Sequence, residues 1–261
     1  MGWVRSMAGR GQRFCVVMPT FNSGDMLART VGSALCWLPD VVVVVDGSTD
    51  GSRESLRGLE SKHPGLRVLE AERNRGKGAA ALEGMARAAE EGFTHGIVMD
   101  SDGQHPAERI PQLVEVSRRE PEAMVLGRPI FGADAPAARV YGRWVGNFFA
   151  NVETLWGGVG DSLFGFRLYP LEPALRVMGS TRWGRGFDFD TELVVRLFWE
   201  GIRPMNVWVP VYYPKREAGG VTHFRYVRDN WLLAGTHCRL MLGLLPRLGK
   251  VWKWRRKWAR G

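Results

Sequence analysis

The stretch Gly96-Ile97-Val98-Met99-Asp100-Ser101-Asp102-Gly103-Gln104-His105 decides how the chain is read. Its first four residues form a short apolar run with the length and character of a buried strand. Two carboxylates one residue apart then stand where strand gives way to loop. Along extended backbone alternate side chains point the same way, so Asp100 and Asp102 can share a face. Paired hard oxygens suit Mg²⁺ or Mn²⁺, which takes the rest of its shell from water and from a substrate's phosphates. Taken alone, Ser-Asp-Gly is also ordinary turn chemistry. The surrounding chain decides between the two.

Upstream, residues 14–18 are a β-rich run stopped by Pro19, and residues 41–45 are all valine, which predicts a strand covered on both faces. Residues 66–69 and 123–126 give further strands. Between them lie helical patterns. Met26, Leu27, Val31, Ala34 and Leu35 share one face behind Asn22 or Ser23 as a cap, an alanine-rich stretch covers 79–91, and a third helix covers 106–119. Strand alternating with helix predicts an α/β fold with a mostly parallel, doubly wound sheet. Such sheets bind ligands beyond the carboxyl ends of their strands, where one crevice can collect Asp46, Gly76 and Asp100. After Arg128 the pattern changes. Residues 139–156 read as a helix with an aromatic side (Tyr141, Trp144, Phe148, Phe149), 157–162 as a flexible loop, 164–169 as a strand, 188–200 as a helix and 203–211 as a strand.

The chain has 261 residues, 45% of them hydrophobic, enough for one domain with an appendage. Cys15, Cys36 and Cys238 have no metal-ligand spacing, and an odd count without a framework points to a reducing compartment. Residues 1–13 lack the apolar core of a signal peptide, and the loose match of the first six residues to a myristoylation pattern reads as chance. The net charge of +9 is uneven: residues from Pro214 onward carry +10, which leaves about −1 for the body. A basic tail calls for an anionic partner, a membrane surface or nucleic acid.

Five motifs in order resemble the family 2 glycosyltransferases, in particular the dolichyl- and polyprenyl-phosphate sugar synthases. They are Val17-Met18-Pro19-Thr20-Phe21-Asn22, Val44-Val45-Asp46-Gly47-Ser48-Thr49-Asp50-Gly51, Asn74-Arg75-Gly76-Lys77-Gly78, Met99 through Pro106, and Asp161-Ser162-Leu163-Phe164-Gly165-Phe166-Arg167. The resemblance spans about residues 14–224. It implies a GT-A fold, Rossmann-like with helices flanking the sheet, a nucleotide-diphospho-sugar donor, a divalent metal (Mg²⁺ or Mn²⁺) and inversion at the anomeric carbon. The metal ligands are Asp102 and Asp100, and Gln104 is placed among the catalytic residues. Nucleotide-sugar contacts fall to Pro19, Thr20, Asn22, Asp46, Gly76, Lys77, Asp100 and Ser101. Val45 stands where the family often has a second acid, which leaves the nucleotide base open.

A diphosphate leaving group gains charge as the glycosidic bond breaks, and a cation at Asp102 neutralises it. Lys77 and the helix start at Gly76 can meet phosphate. On the acceptor side stand Arg128, Asp161, Ser162, Arg167 and Arg216. Arg216 lies in the glycine-containing stretch 215–224, which resembles the family's mobile acceptor loop and can clamp a phosphate. A hydroxyl acceptor needs a base, for which Asp190 is the first choice and Asp188 the second; a lipid phosphate needs none. Both aspartates also suit helix capping.

Residues 230–250 are helix-like and apolar, but Arg239 interrupts them and Pro246 ends them, so a transmembrane span is rejected. Trp231, Leu232, Leu233, Leu240, Met241, Leu244 and Leu245, followed by Trp252, Trp254 and Trp258 among cations, suit an amphipathic helix lying in a membrane interface. Core packing with a disordered basic end is the competing reading. Nucleic acid as a partner fits the charge alone and is set aside. The expected organisation is an N-terminal extension (1–13), a GT-A domain (14–228) and a basic, Trp-rich interfacial tail (229–261). The expected activity is metal-dependent, inverting hexose transfer to a polyprenyl phosphate or lipid hydroxyl, by an enzyme held peripherally on the cytoplasmic leaflet. A nucleotidyltransferase making a nucleotide sugar is weakened by the lack of a Gly-rich, basic signature near the N-terminus. A non-catalytic lipid- or sugar-binding homologue is weakened by the intact Asp100, Asp102 and Gln104, and a D-x-D-x-T/V phosphatase by Gln104.

Overall fold

A computed structural model describes residues 11–132, 137–211 and 226–258. The strands are β1 (Phe14–Thr20), β2 (Val41–Asp46), β3 (Leu66–Ala71), β4 (His95–Val98), β5 (Met124–Ile130), β6 (Arg167–Pro170) and β7 (Pro204–Pro210). They form one sheet in the order β3-β2-β1-β4-β6-β5-β7. β1, β2, β3 and β4 pair in parallel, as do β5 and β7. β6 alone runs antiparallel to both neighbours. The sheet is therefore mostly parallel, and of the GT-A kind, with β6 as the exception.

The valines of β2 explain why the sheet lies in the middle. Val42 faces one core with Cys15 and Val17, while Val41, Val43 and Val45 face the other with Val16 and Met18. Each core is closed by helices. On one side lie α1 (Gly24–Leu35), through Leu27 and Val31, and α5 (Ile110–Arg119), through Ile110 and Leu113. On the other lies α4 (Lys77–Glu90), through Ala81 and Met85, after the single turns α2 (Ser52–Ser55) and α3 (Arg57–Glu60). α4 sits close enough that a Cβ at Gly84 would stand 2.6 Å from Val17 Cγ1.

The second half adds α6 (Ala137–Glu153), α7 (Leu171–Gly179), α8 (Phe189–Trp199), α9 (Tyr226–Leu244) and α10 (Leu248–Trp258). Four features depart from the sequence reading. The strand expected from 164 begins only at Arg167, because Phe164 and Phe166 serve the core ahead of it. α7 was not expected; it starts directly after β6, with Pro170 at its N-cap. The loop 157–162 is tied down rather than free, through Gly160 N–H to Asn206 Oδ1 (3.0 Å) and Ser162 N–H to Asn147 Oδ1 (2.7 Å). Finally, the helix expected over 230–250 stops at Leu244, a 3₁₀ turn carries Pro246, and α10 follows.

That last difference changes the tail. The line drawn between 228 and 229 falls inside α9, which packs on α6 and α8. Leu240, Leu244 and Val251 belong to the core, Trp258 meets Phe198 at 5.1 Å, and Trp254 covers Gly201. Leu240, Leu244, Trp254 and Trp258 therefore face the protein, whereas Trp231, Met241, Leu245 and Trp252 remain exposed. No helix among the described residues is long and apolar enough to cross a membrane.

Candidate active site

The carboxyl ends of β1, β2 and β4 open on a cleft of about 670 Å³, of the size that holds a small-molecule ligand. Pro19, Thr20, Asp46, Gly76, Lys77, Asp100, Ser101, Asp102, Gln104 and Asp190 all line it. The far wall comes from Gly142 and Arg143 of α6, Leu163, the Gly186-Phe187 turn before α8, and Leu232 and Leu233 of α9.

β1 ends in a triangle of hydroxyls. Thr20 Oγ1 donates to Ser23 Oγ (2.9 Å), Ser101 Oγ donates to Thr20 Oγ1 (3.0 Å), and Ser23 and Ser101 are 2.8 Å apart. Ser23 occupies the N-cap position of α1 but makes no side-chain cap; Asp50 and Ser52 take the Gly24 N–H instead, at 2.7 and 2.9 Å. Asn22 is not a cap either, and it does not line the cleft. Its backbone turns to φ 48°, its N–H reaches Ser48 Oγ, and its Oδ1 accepts the Thr49 N–H at 2.8 Å. It shapes the loop after β2.

Asp46 ends β2 and is buried. Its Oδ2 accepts the N–H groups of Arg75 (2.9 Å) and Gly76 (2.8 Å), and its Oδ1 takes Arg75 Nε at 3.3 Å. This carboxylate thus fixes the 74–76 turn that leads into α4. Gly76 adopts φ +101°, and a Cβ there would lie 2.5 Å from the Arg185 carbonyl, so this turn requires glycine.

Lys77 opens α4. Its ammonium lies 2.8 Å from Asp100 Oδ1 and 2.8 Å from Asp190 Oδ2. Burial works against its charge, but the two carboxylates more than offset this and raise its pKa. Lys77 therefore lines the cleft already paired with two carboxylates, a partnership its local sequence does not show. Asp190 comes from the first turn of α8; it is 2% exposed, and among the described residues its Oδ1 has no hydrogen-bond partner, with Arg167 Nη1 at 3.9 Å.

Met99 still pairs with Val17 of β1, and Asp100 follows. Burial, the largest single influence, opposes ionisation of Asp100, yet Lys77, His105 and Arg167 together hold the carboxyl below its usual range. Burial first, and then the charge of Asp100, push the Asp102 carboxyl up. One oxygen of Asp102 accepts the Gln104 N–H at 3.0 Å. His105 is buried behind the pair, accepts the Asp100 N–H at Nδ1 (3.0 Å) and has its pKa lowered by burial, which keeps it a neutral acceptor. Two carboxylates that line one cleft, one of them pushed up by burial and by the other's charge, are a donor set that a divalent cation relieves. Among the described residues no three His, Cys, Asp or Glu side chains converge to enclose a metal. The pair fits a cation that completes its shell with substrate oxygens.

The other expected residues that the structure describes stand outside the cleft lining. Asp188 is buried and accepts the N–H groups of Gly184 (3.2 Å) and Gly186 (3.1 Å), so it braces the turn before α8. Asp161 pairs with Arg143 Nη1 at 2.8 Å and accepts the Phe164 N–H; Ser162 Oγ donates to Asn147 Oδ1. Arg167 is fully buried and donates to the carbonyls of Asp190 (2.8 Å) and Asp161 (3.0 Å). It ties α8 to the loop before β6. Arg128 is exposed and stacks on Trp208 at 4.2 Å. Arg216 and the 215–224 stretch lie outside the described residues. Sequence reasoning missed Arg143, Leu163, Leu232 and Leu233 as cleft residues, since no local motif marks them.

Residues 15–176 match the family model described as glycosyl transferase family 2. The chain is similar to an undecaprenyl-phosphate mannosyltransferase of Micrococcus luteus, 26% identical over 212 residues that cover 79% of this chain and 86% of the relative. It is also similar to a polyprenol monophosphomannose synthase of Mycolicibacterium smegmatis, 27% identical over 214 residues and 80% of each chain. Among solved structures it is similar to glucosyl-3-phosphoglycerate synthase of Mycobacterium tuberculosis in complex with Mn²⁺, uridine diphosphate and glucosyl-3-phosphoglycerate. The TM-score there is 0.60 at 21% identity, over 92% of this chain and 81% of that one, a likeness of fold.

Proposed function

The chain belongs to glycosyl transferase family 2, and from that membership we propose that it transfers a hexose from a nucleotide-diphospho-sugar to a polyprenyl phosphate, with inversion at the anomeric carbon. The relatives named for undecaprenyl phosphate and polyprenol monophosphomannose support this acceptor class. The observation that carries the choice of phosphate over hydroxyl is the Lys77 bridge. A hydroxyl acceptor must lose a proton to a base, and Asp190, the candidate, already takes an ammonium on Oδ2 at 2.8 Å. A phosphate acceptor arrives as an anion and needs no such group.

In this reading a phosphate oxygen of the acceptor attacks the anomeric carbon while the bond from that carbon to the nucleoside diphosphate breaks on the opposite face. Asp46 sets the 74–76 turn, so that Gly76 presents backbone to the donor without a side chain in the way. Thr20 and Ser101 form the polar floor beside Pro19. Asp102 and Asp100 would hold Mg²⁺ or Mn²⁺, which when bound supplies positive charge against the departing diphosphate. Gln104 fixes Asp102 through its backbone N–H. Asp161 and Ser162 position Arg143 on the acceptor wall, directly and through Asn147, and Arg167 anchors Asp190 from behind. Arg128 and Arg216 remain the acceptor-side cations of the proposal.

The lipid end of the acceptor is met by Leu163, Leu232 and Leu233. Beside that wall α6 exposes Tyr141, Trp144 and Phe148, whose rings follow one another at 6.2 Å. Exposed tryptophan and tyrosine next to a lipid-binding cleft, with the basic outer face of α10, suit peripheral attachment to the cytoplasmic membrane face. The test is transfer from radiolabelled UDP- and GDP-hexoses, with Mg²⁺ or Mn²⁺, to vesicles holding either polyprenyl phosphate or a lipid with a free hydroxyl. Label should appear in an acid-labile polyprenyl phosphosugar. Label on the hydroxyl lipid alone would overturn the acceptor assignment.

A further inference from the structure

The ammonium of Lys77 is paired with Asp100, one of the two carboxylates proposed to hold the metal. It lies 2.8 Å from Asp100 and 2.8 Å from Asp190, both lining the cleft that Asp102 also lines. The chain makes room for it. Gly165 passes so close that a Cβ there would stand 2.9 Å from Lys77 Nζ and 2.6 Å from Asp100 Oδ2. Lys77 Nζ is held on two sides by carboxylates from separate parts of the chain, the loop after β4 and the first turn of α8. Arg167 adds a second positive charge 3.9 Å from Asp190.

Three carboxylates therefore line the cleft, with Lys77 between two of them and Arg167 buried behind Asp190. A free metal ion approaching Asp100 and Asp102 meets an ammonium on Asp100 itself, and like charges at that range in a half-buried site repel strongly. A nucleoside diphosphate changes the balance, because its oxygens bring negative charge that both the ammonium and a metal can share. We infer that Lys77 is a resident counterion that weakens binding of the divalent cation to the empty cleft, so that the metal is retained together with the nucleoside diphosphate. This rests on the carboxylate pair of the proposed function, and makes Lys77 a positioning residue for it.

The test is a Mn²⁺ titration of the whole chain followed by the electron paramagnetic resonance signal of free Mn²⁺, without nucleotide and then with UDP or GDP. Removing the charge with Lys77→Met should tighten binding of Mn²⁺ alone by about tenfold, within the usual range for coupling between neighbouring sites. Lys77→Gln, which keeps a polar donor without charge, should do the same and serves if the methionine variant does not fold. Folding is checked by circular dichroism. Unchanged or weaker binding of Mn²⁺ alone to a folded variant would overturn the inference. Tightened binding by the variants, with neither UDP nor GDP altering Mn²⁺ affinity, would keep Lys77 as the counterion but overturn joint retention of metal and nucleotide, and with it the donor reading.

Discussion

Gly165 is where a missing methyl group decides whether the site can assemble. Its Cβ, if present, would press on Asp100 Oδ2 and Lys77 Nζ, both ends of side chains that can swing away. The fold should therefore survive Gly165→Ala, while the carboxylate is displaced from its working place. A shift of about an ångström in a positioned group costs on the order of a hundredfold in rate. We expect kcat for hexose transfer to fall on that scale with the melting temperature nearly unchanged; equal loss of both would mean the glycine serves the core. This residue also marks the limit of what the sequence tells. The motif Gly165-Phe166-Arg167 is readable, and so is the Asp100–Asp102 pair. That Lys77 bridges to Asp190 is not readable, because the partners are 113 positions apart and neither lies in the other's local pattern. The same holds for Arg167, an apparent acceptor-side cation whose guanidinium is spent on the carbonyls of Asp161 and Asp190.

At the scale of elements, the walls of the cleft are joined by a buried polar contact. Glu153 at the end of α6 is fully buried, and its Oε1 lies 2.8 Å from His237 Nδ1 of α9. Burial pushes the Glu153 carboxyl up, and His237 only partly counters it. The folded chain therefore binds a proton here that the unfolded chain has released, so this group's contribution to stability falls as pH rises from about 4.5 through its raised value. Glu153→Gln removes that titration. In urea unfolding across pH 4.5–7 the variant should lose less stability with rising pH than the parent, by no more than about 1.4 kcal/mol per pH unit. Parallel pH profiles would show that Glu153 does not titrate differently on folding. Elements with a strong period were legible before the structure: all six residues of β2 are buried, and α4 and α5 fall where their patterns put them. The direction of β6 was not legible. Four buried residues carry no mark of parallel or antiparallel pairing, and their partners on β4 and β5 lie far away in sequence.

For the whole molecule, the open matter is whether the basic end is an appendage or part of the body. The charge pattern favours an appendage, since the residues beyond Pro214 carry +10 and the rest of the chain about −1. The packing favours the body. Val251 is fully buried, Trp258 stands edge-on to Phe198 at 5.1 Å, and Trp254 lies over Gly201 so closely that a Cβ there would stand 2.7 Å from its ring. One face of α10 thus completes the core around α8, and the other carries Lys253, Arg256 and Lys257 outward. Burying a valine side chain contributes roughly 1.5–3 kcal/mol, and two partly covered tryptophans add to that. Ending the chain after Arg247 should therefore cost about 3 kcal/mol or more, seen as a lower urea midpoint, whether or not a membrane is present. Replacing Lys253, Arg256 and Lys257 by glutamine should leave that midpoint within about 0.5 kcal/mol, as exposed substitutions do. It should still weaken attachment to anionic vesicles, by about 1 kcal/mol for each charge removed at low salt. The two variants separate the roles: if truncation leaves the midpoint unmoved, the packing of α10 on α8 contributes nothing to stability, and the tail acts through its charge alone.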